Sequence, residues 1–284
     1  MAEIKNLVIT GSNSLPLVAD IFYEGTGKKP VIIYAHGFNG FKDWGNFDLI
    51  ARQAIAKEFT FVKFNFSHNG TSLAQPEEFV NLEAFGKNNI SLELADLEKI
   101  IDWVSDPEND YRHHIDENKI YLLGHSMGGG LVILTAAQDS RIKKLVTWAS
   151  ITAAKTPWGS WAPEKIQEWK EKGVAFYKNG RTGQDMPLYF HLYEDYQQHA
   201  VQLDIIAAAK KLHIPFLICH GSSDPAVPVA KAYELQDAQP SAKIFTVDSD
   251  HVFGRQHPWE HTYLPEPMQA ILDKTLEFFN NAEA

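Results

Sequence analysis

In the stretch YLLGHSMGGG, Tyr121 to Gly130, a lone serine stands among glycines at the end of an apolar run. Gly124-His125-Ser126-Met127-Gly128 fits G-x-S-x-G, with a strand expected before it (IYLL) and a helix after it (LVILTAAQ). A serine on so sharp a strand-to-helix turn takes strained backbone angles, and side chains at the flanking positions would collide, so both must be glycine. The turn lifts the hydroxyl off the sheet edge, and the helix N-terminus behind it favours developing negative charge. A serine serving only as a helix N-cap would not need glycine on both sides.

A hydroxyl is a poor nucleophile until a base takes its proton, so a histidine and an acid are expected at other strand ends. HGSSDPAVPV puts Asp224 after one strand, with two prolines fixing the turn behind it, and FTVDSDHVFG puts His251 after the next. The chain order Ser126, Asp224, His251 is the order expected on such a sheet. Asp248 and Asp250 compete for the acid's role, but neither lies at a separate strand end. His257 and His261 compete with His251, but they lie in RQHPWEHTY, a stretch expected to pack at the surface. His125 and His220 adjoin buried strands and are expected as hydrogen-bonded core histidines rather than bases. Attack on a carbonyl also needs N–H donors for the oxyanion, and the turn His36-Gly37-Phe38 in YAHGFNGFKD can supply one. The backbone N–H groups of Phe38 and Met127 are the expected pair.

These residues need a scaffold that brings distant loops to one edge. Short β-branched or aromatic runs alternate with segments of helical period, which calls for a mostly parallel eight-stranded sheet with helices on both faces, an α/β fold. The expected strands are NLVIT, LVADIFY, PVIIYAH, TFVKFNF, KIYLLG, KLVTWAS, PFLICHG and AKIFTVD, the first two joined through GSNSLP as an edge hairpin. In LADLEKIIDWV, Leu94, Leu97, Ile100, Ile101 and Val104 recur at three- and four-residue spacing, the mark of one buried helix face. From residue 151 to 209 the alternation stops and aromatics crowd in, with no convincing strand. The expectation is a core of residues 1–150 and 210–284 carrying an inserted helical cap, 151–209. Most cap rings are expected to pack with each other, while Phe38, His125, Trp158 and Trp161 are placed at the substrate pocket.

Composition narrows the partners. With 284 residues and 44% hydrophobic content the chain can fill a sizeable core. A net charge of -10 disfavours nucleic acid and anionic membrane surfaces, and implies that strongly anionic substrates are repelled. Cys219 is the single cysteine, the start of the chain lacks the pattern of a secretion signal, and no apolar run reaches the roughly 20 residues of a membrane-crossing helix. A cytoplasmic location is expected. The 12 histidines show no ligand spacing such as H-E-x-x-H, so neither metal nor cofactor is expected. Oligomeric state is not legible.

Together, HGFNGFKD, GHSMGG, GSSDPAVP and DSDHVFG resemble the α/β-hydrolase superfamily over nearly the whole chain, and within it the serine esterases related to dienelactone hydrolases, acyl-peptide hydrolases and bacterial cinnamoyl or feruloyl esterases. FNFSHNGTS resembles their loop after the fourth strand, although an aspartate or arginine common in relatives is absent from Asn65 to Ser72. The resemblance implies Ser126 as nucleophile, His251 as base, Asp224 as its orienter, and Phe38 and Met127 as oxyanion donors. It implies a carboxylesterase acting on small-molecule acyl or aryl esters, hydroxycinnamoyl esters among them. A peptidase or amide hydrolase, and a non-catalytic binding protein on the same fold, are the alternatives.

Overall fold

The computed structural model describes residues 1–11 and 15–281. Eight strands form one sheet: β1 (Ala2–Thr10), β2 (Pro16–Tyr23), β3 (Lys29–Ala35), β4 (Thr60–Asn65), β5 (Ile115–His125), β6 (Ile142–Trp148), β9 (Phe216–Gly221) and β10 (Lys243–Val247). Their order is β1-β2-β4-β3-β5-β6-β9-β10. β1 pairs antiparallel with β2, and β2 antiparallel with β4, while the remaining pairs are parallel. The edge hairpin expected from the sequence is thus β1–β2. Residues 12–14 of its GSNSLP connection lie outside the described residues.

Strands buried on both faces must be apolar throughout, and β4, β5 and β9 are buried over most of their length. On one face pack α3 (Ile90–Ser105), α4 (Met127–Ala136), α7 (Ile205–Ala209) and α8 (Ala230–Ala238). On the other lie α1 (Phe47–Ile55) and α9 (Glu266–Asn280). Leu97, Ile100, Ile101 and Val104 are buried and Leu94 half-buried, as their spacing in α3 requires. α4 is buried from Met127 through Leu134, because it runs under the sheet centre with no solvent face. A short helix, α2 (Leu82–Gly86), precedes α3.

Between β6 and β9 the chain leaves the sheet through α5 (Pro163–Lys172), β7 (Val174–Lys178), β8 (Asp185–Tyr189) and α6 (His191–Gln198), and α7 brings it back against α4. The expectation of no convincing strand between residues 151 and 209 is corrected here: β7 and β8 form an antiparallel hairpin of their own. Its connection is closed by Asn179, which pairs backbone to backbone with Gln184 and whose side chain accepts the N–H groups of Arg181 and Thr182. Asn179-Gly180 is a turn signal that the sequence carried. Aromatics dominate the cap because it has its own core: Trp158, Trp169, Met186, Leu188 and Leu192 are buried there with Phe41, Phe79 and Phe85.

Candidate active site

The C-terminal ends of β3, β5, β9 and β10 meet at one place. β5 ends at His125, and Ser126 follows with φ 56° and ψ -117°, a left-handed conformation that the surroundings enforce. A Cβ on Gly124 would lie 2.3 Å from the Gly128 carbonyl oxygen, and one on Gly128 2.3 Å from that of Ala35, so backbone meets backbone on both sides of the turn. The Ser126 N–H donates to the Trp148 carbonyl at 2.9 Å, tying the turn to β6.

The Ser126 hydroxyl lies 3.0 Å from His251 Nε2, and His251 Nδ1 lies 2.7 Å from Asp224 Oδ2. Asp224 is fixed in turn: its Oδ1 accepts the N–H groups of Ala226 and Val227 at 2.8 and 2.9 Å, inside the turn that Pro225 and Pro228 bracket. Burial works to raise the Asp224 carboxyl, but hydrogen bonds from His220, His251 and the Val227 N–H outweigh it and hold the group well below the usual carboxylate range. The competing acids are engaged elsewhere. Asp248 accepts the Ser222 and Ser223 hydroxyls, and Asp250 caps the Val252 and Gly254 N–H groups. His257 accepts the Gly45 N–H and packs on Phe41 and Trp44, and His261 is exposed.

Two histidines brace this arrangement. His125 Nε2 donates to the His251 carbonyl at 2.9 Å, and burial, with the nearby His251 and Arg255, holds His125 well below its ordinary value, so it stays neutral. His220 Nε2 donates to the Val227 carbonyl at 2.8 Å and lies 3.4 Å from Asp224 Oδ2. Sequence reading placed both as core histidines, and the contacts that make them supports of Asp224 and His251 span 7 and 126 residues.

The loop after β3 lies against the serine: a Cβ on Gly37 would come within 3.0 Å of Ser126 Cβ and 3.1 Å of the His125 carbonyl. This brings Phe38 beside Ser126, whose other neighbour Met127 opens α4. His36 anchors the loop through Nδ1, which donates to the Gly37 carbonyl at 2.9 Å, and burial pushes its imidazole down to about 4.

Two cavities touch Ser126 and His251. One, of about 260 Å³, lies between the β3 loop, the tip of the β7–β8 hairpin and the segment after His251, and it includes His125, Asn179, Arg181 and Arg255. The other, of about 580 Å³, runs along the 151–160 segment and includes Tyr177, Lys155 and Lys231. Phe38 borders both. Trp158 and Trp161 border neither, and their placement at the substrate pocket is corrected: Trp158 packs against Tyr193 and Tyr196, and Trp161 edge-on against Trp169, in the cap's own core. The RQHPWEHTY stretch is corrected in part, since its Arg255 is buried. Among the described residues the carboxylates of Asp20, Asp43 and Asp48 approach within 4.8 Å of one another, the spacing of a cation site, but the ammonium groups of Lys42 and Lys63 already stand among them.

The alpha/beta hydrolase fold family matches residues 30–173, which is 144 of 284 residues and takes in the β3 loop and the serine turn. The chain belongs to the α/β-hydrolase family. This α/β hydrolase is 31% identical over 127 residues to the 31.7 kDa protein of the traX-finO intergenic region of Escherichia coli, a match covering 44% of this chain and 38% of that one. It therefore spans well under half of that relative's length. Among solved structures it resembles Est1E of Butyrivibrio proteoclasticus with ferulic acid bound (TM-score 0.69, 18% identity, covering 96% of this chain and 97% of that one). It also resembles the α/β hydrolase GrgF of Penicillium sp. sh18 (TM-score 0.70, 16% identity, 98% of each chain). At these identities the likeness speaks for the fold. Among the described residues no helix is long and apolar enough to cross a membrane.

Proposed function

We propose that this α/β hydrolase is a serine carboxylesterase acting on small-molecule esters through an acyl-enzyme. The observation that carries the reading is the unbroken line from Ser126 Oγ to His251 Nε2 at 3.0 Å and from His251 Nδ1 to Asp224 at 2.7 Å, on a serine held at φ 56°. His251 takes the serine proton as Oγ attacks the carbonyl carbon, and the Phe38 and Met127 N–H groups receive the oxyanion. His251 then hands the proton to the leaving alkoxide, and the alcohol departs. Water, losing its proton to the same imidazole, attacks the acyl-enzyme and releases the acid. Asp224 holds the tautomer and stabilises the imidazolium without taking a proton itself. The cap is proposed as the part of the chain inserted over this core, covering the site. Est1E supports placing methyl ferulate in a substrate panel, since that fold-mate was captured with ferulic acid.

The test is hydrolysis of p-nitrophenyl esters of increasing acyl length, beside methyl ferulate, with fluorophosphonate labelling of the wild type. Ser126→Ala is expected to lower kcat by at least ~10⁴-fold with unchanged folding, judged by circular dichroism, and to abolish labelling. Appreciable residual turnover in that variant would remove Ser126 from the mechanism.

A further inference from the structure

The chain carries a net charge of -10, yet among the described residues no acidic side chain borders either cavity at Ser126, while four basic ones do: Arg181 and Arg255 in the smaller, Lys155 and Lys231 in the larger. The charge at the site opposes the charge of the whole. It also argues against applying to the site the expectation, drawn from net charge, that anionic substrates are repelled.

Arg255 is the decisive group. It is 4% exposed, and its guanidinium lies over the rings of Phe47 and Trp44 at 4.7 and 5.5 Å. Nε donates to the Val252 carbonyl at 2.8 Å, but both terminal nitrogens, Nη1 and Nη2, are buried without a hydrogen-bond partner. The Tyr34 hydroxyl and the Asp250 carboxylate are near enough to favour the charge, but neither gives a terminal nitrogen a hydrogen bond of ordinary geometry, and Asp250 spends one oxygen on backbone N–H groups. A buried cation with two free donors is costly unless something pairs with it. The same cavity holds Arg181, which stacks on Phe41 at 5.5 Å and touches Glu78 and the Glu77 carbonyl only at 3.8 and 3.4 Å. Both guanidinium groups therefore retain donors for a ligand. A planar fork of two N–H groups matches a carboxylate in bidentate fashion, and about 260 Å³ leaves room for a carboxylate and a short carbon chain beside the serine.

We propose that Arg255, assisted by Arg181 at the cavity rim, forms a carboxylate subsite, so that the preferred substrates are short esters carrying a free carboxylate close to the scissile carbonyl. The preference for esters rests on the reading of Ser126 as an ester-cleaving nucleophile, whereas the subsite itself does not. The carboxylate can belong to the acyl part or to the alcohol part, and two probe pairs separate these sources. A monoaryl glutarate and its methyl-capped diester test the acyl part, and 4-acetoxybenzoate and its methyl ester test the alcohol part.

In at least one pair the charged ester is expected to exceed its neutral twin in kcat/KM by about tenfold or more, and Arg255→Gln to erase that preference, as loss of a charge-assisted bidentate contact would. A neutral preference in both pairs, or a charged preference that survives Arg255→Gln, overturns the proposal. Should that variant fail to fold, Arg181→Gln, on the partly exposed hairpin, is expected to lower the preference several-fold, and an unchanged preference there overturns it. Calorimetric titration with glutarate gives a readout free of turnover: binding to the wild type that weakens at least tenfold in either variant supports the subsite, and no binding overturns it. Fluorophosphonate labelling separates the two readings, because a wild type that refuses the label but binds glutarate loses the esterase and keeps the subsite.

Discussion

Asp224 makes more contacts than orienting one imidazole demands. One oxygen receives two backbone N–H groups, and the other faces both His251 and His220. Asp224→Asn keeps the shape but presents an amide donor or a weaker acceptor to His251 Nδ1, favouring the wrong tautomer, and kcat on p-nitrophenyl acetate is expected to fall by about 10⁴-fold. The same residue scale carries a pH effect at Glu93. Burial, outweighing the Asn88 hydrogen bond, pushes its carboxyl up to about 8, and one oxygen has no partner. Because the folded value lies above the unfolded one, stability is fully present below about pH 4.5 and drains away as pH rises toward 8. Glu93→Gln is expected to flatten that slope, gaining stability of the order of a few kcal/mol over the wild type at pH 8 and little at pH 4.5, as urea denaturation across pH would measure.

At the scale of elements, the turn from β5 into α4 is the most constrained joint. Gly128→Ala would drive a Cβ against the Ala35 carbonyl oxygen of a neighbouring strand, which no side-chain rotation relieves. A loss of several kcal/mol, or failure to accumulate as soluble protein, is expected, readable by thermal melting. Gly180, by contrast, has open space around it, so Gly180→Ala in the β7–β8 connection leaves the melting temperature nearly unchanged. The hairpin escaped the sequence reading because β7 is only half-covered and its aromatics suggested helix packing, yet Asn179-Gly180 marked it. Its position brings Asn179 and Arg181 to the smaller cavity.

Over the whole molecule, the residues that hold the β3 loop lie far behind it. Lys42 and Lys63 are fully buried and paired with Asp20, Asp43 and Asp48, joining β2, β4, α1 and the segment after Phe41 into one ionic cluster. Burial disfavours the Lys63 ammonium, but Asp43, Asp20 and Asp48 reverse this and hold it above its ordinary range. Removing Asp20, whose carboxylate is fully buried, takes one partner from each of the two buried ammonium groups. Asp20→Ala is expected to cost about 3–5 kcal/mol in chemical denaturation, far more than removal of a solvent-exposed pair such as Lys172–Glu168.

The sequence by itself determined the local facts: a serine between glycines, an acid and a histidine each following a strand, an apolar stripe along α3, and alternation that allows only a mostly parallel sheet. These were legible because backbone sterics and the 3.6- and 2-residue periods act over a few neighbours. The tertiary structure decided everything that depends on chain segments meeting. Only there do Trp158 and Trp161 become cap core rather than cavity wall, His125 and His220 become braces for His251 and Asp224, and Arg255 appear buried with its donors free. Burial and pairing are set by what packs against a side chain, and those partners come from residues that sequence spacing does not reveal. Net charge is a coarse guide for the same reason, since a sum over the chain says nothing of which charges a cavity faces.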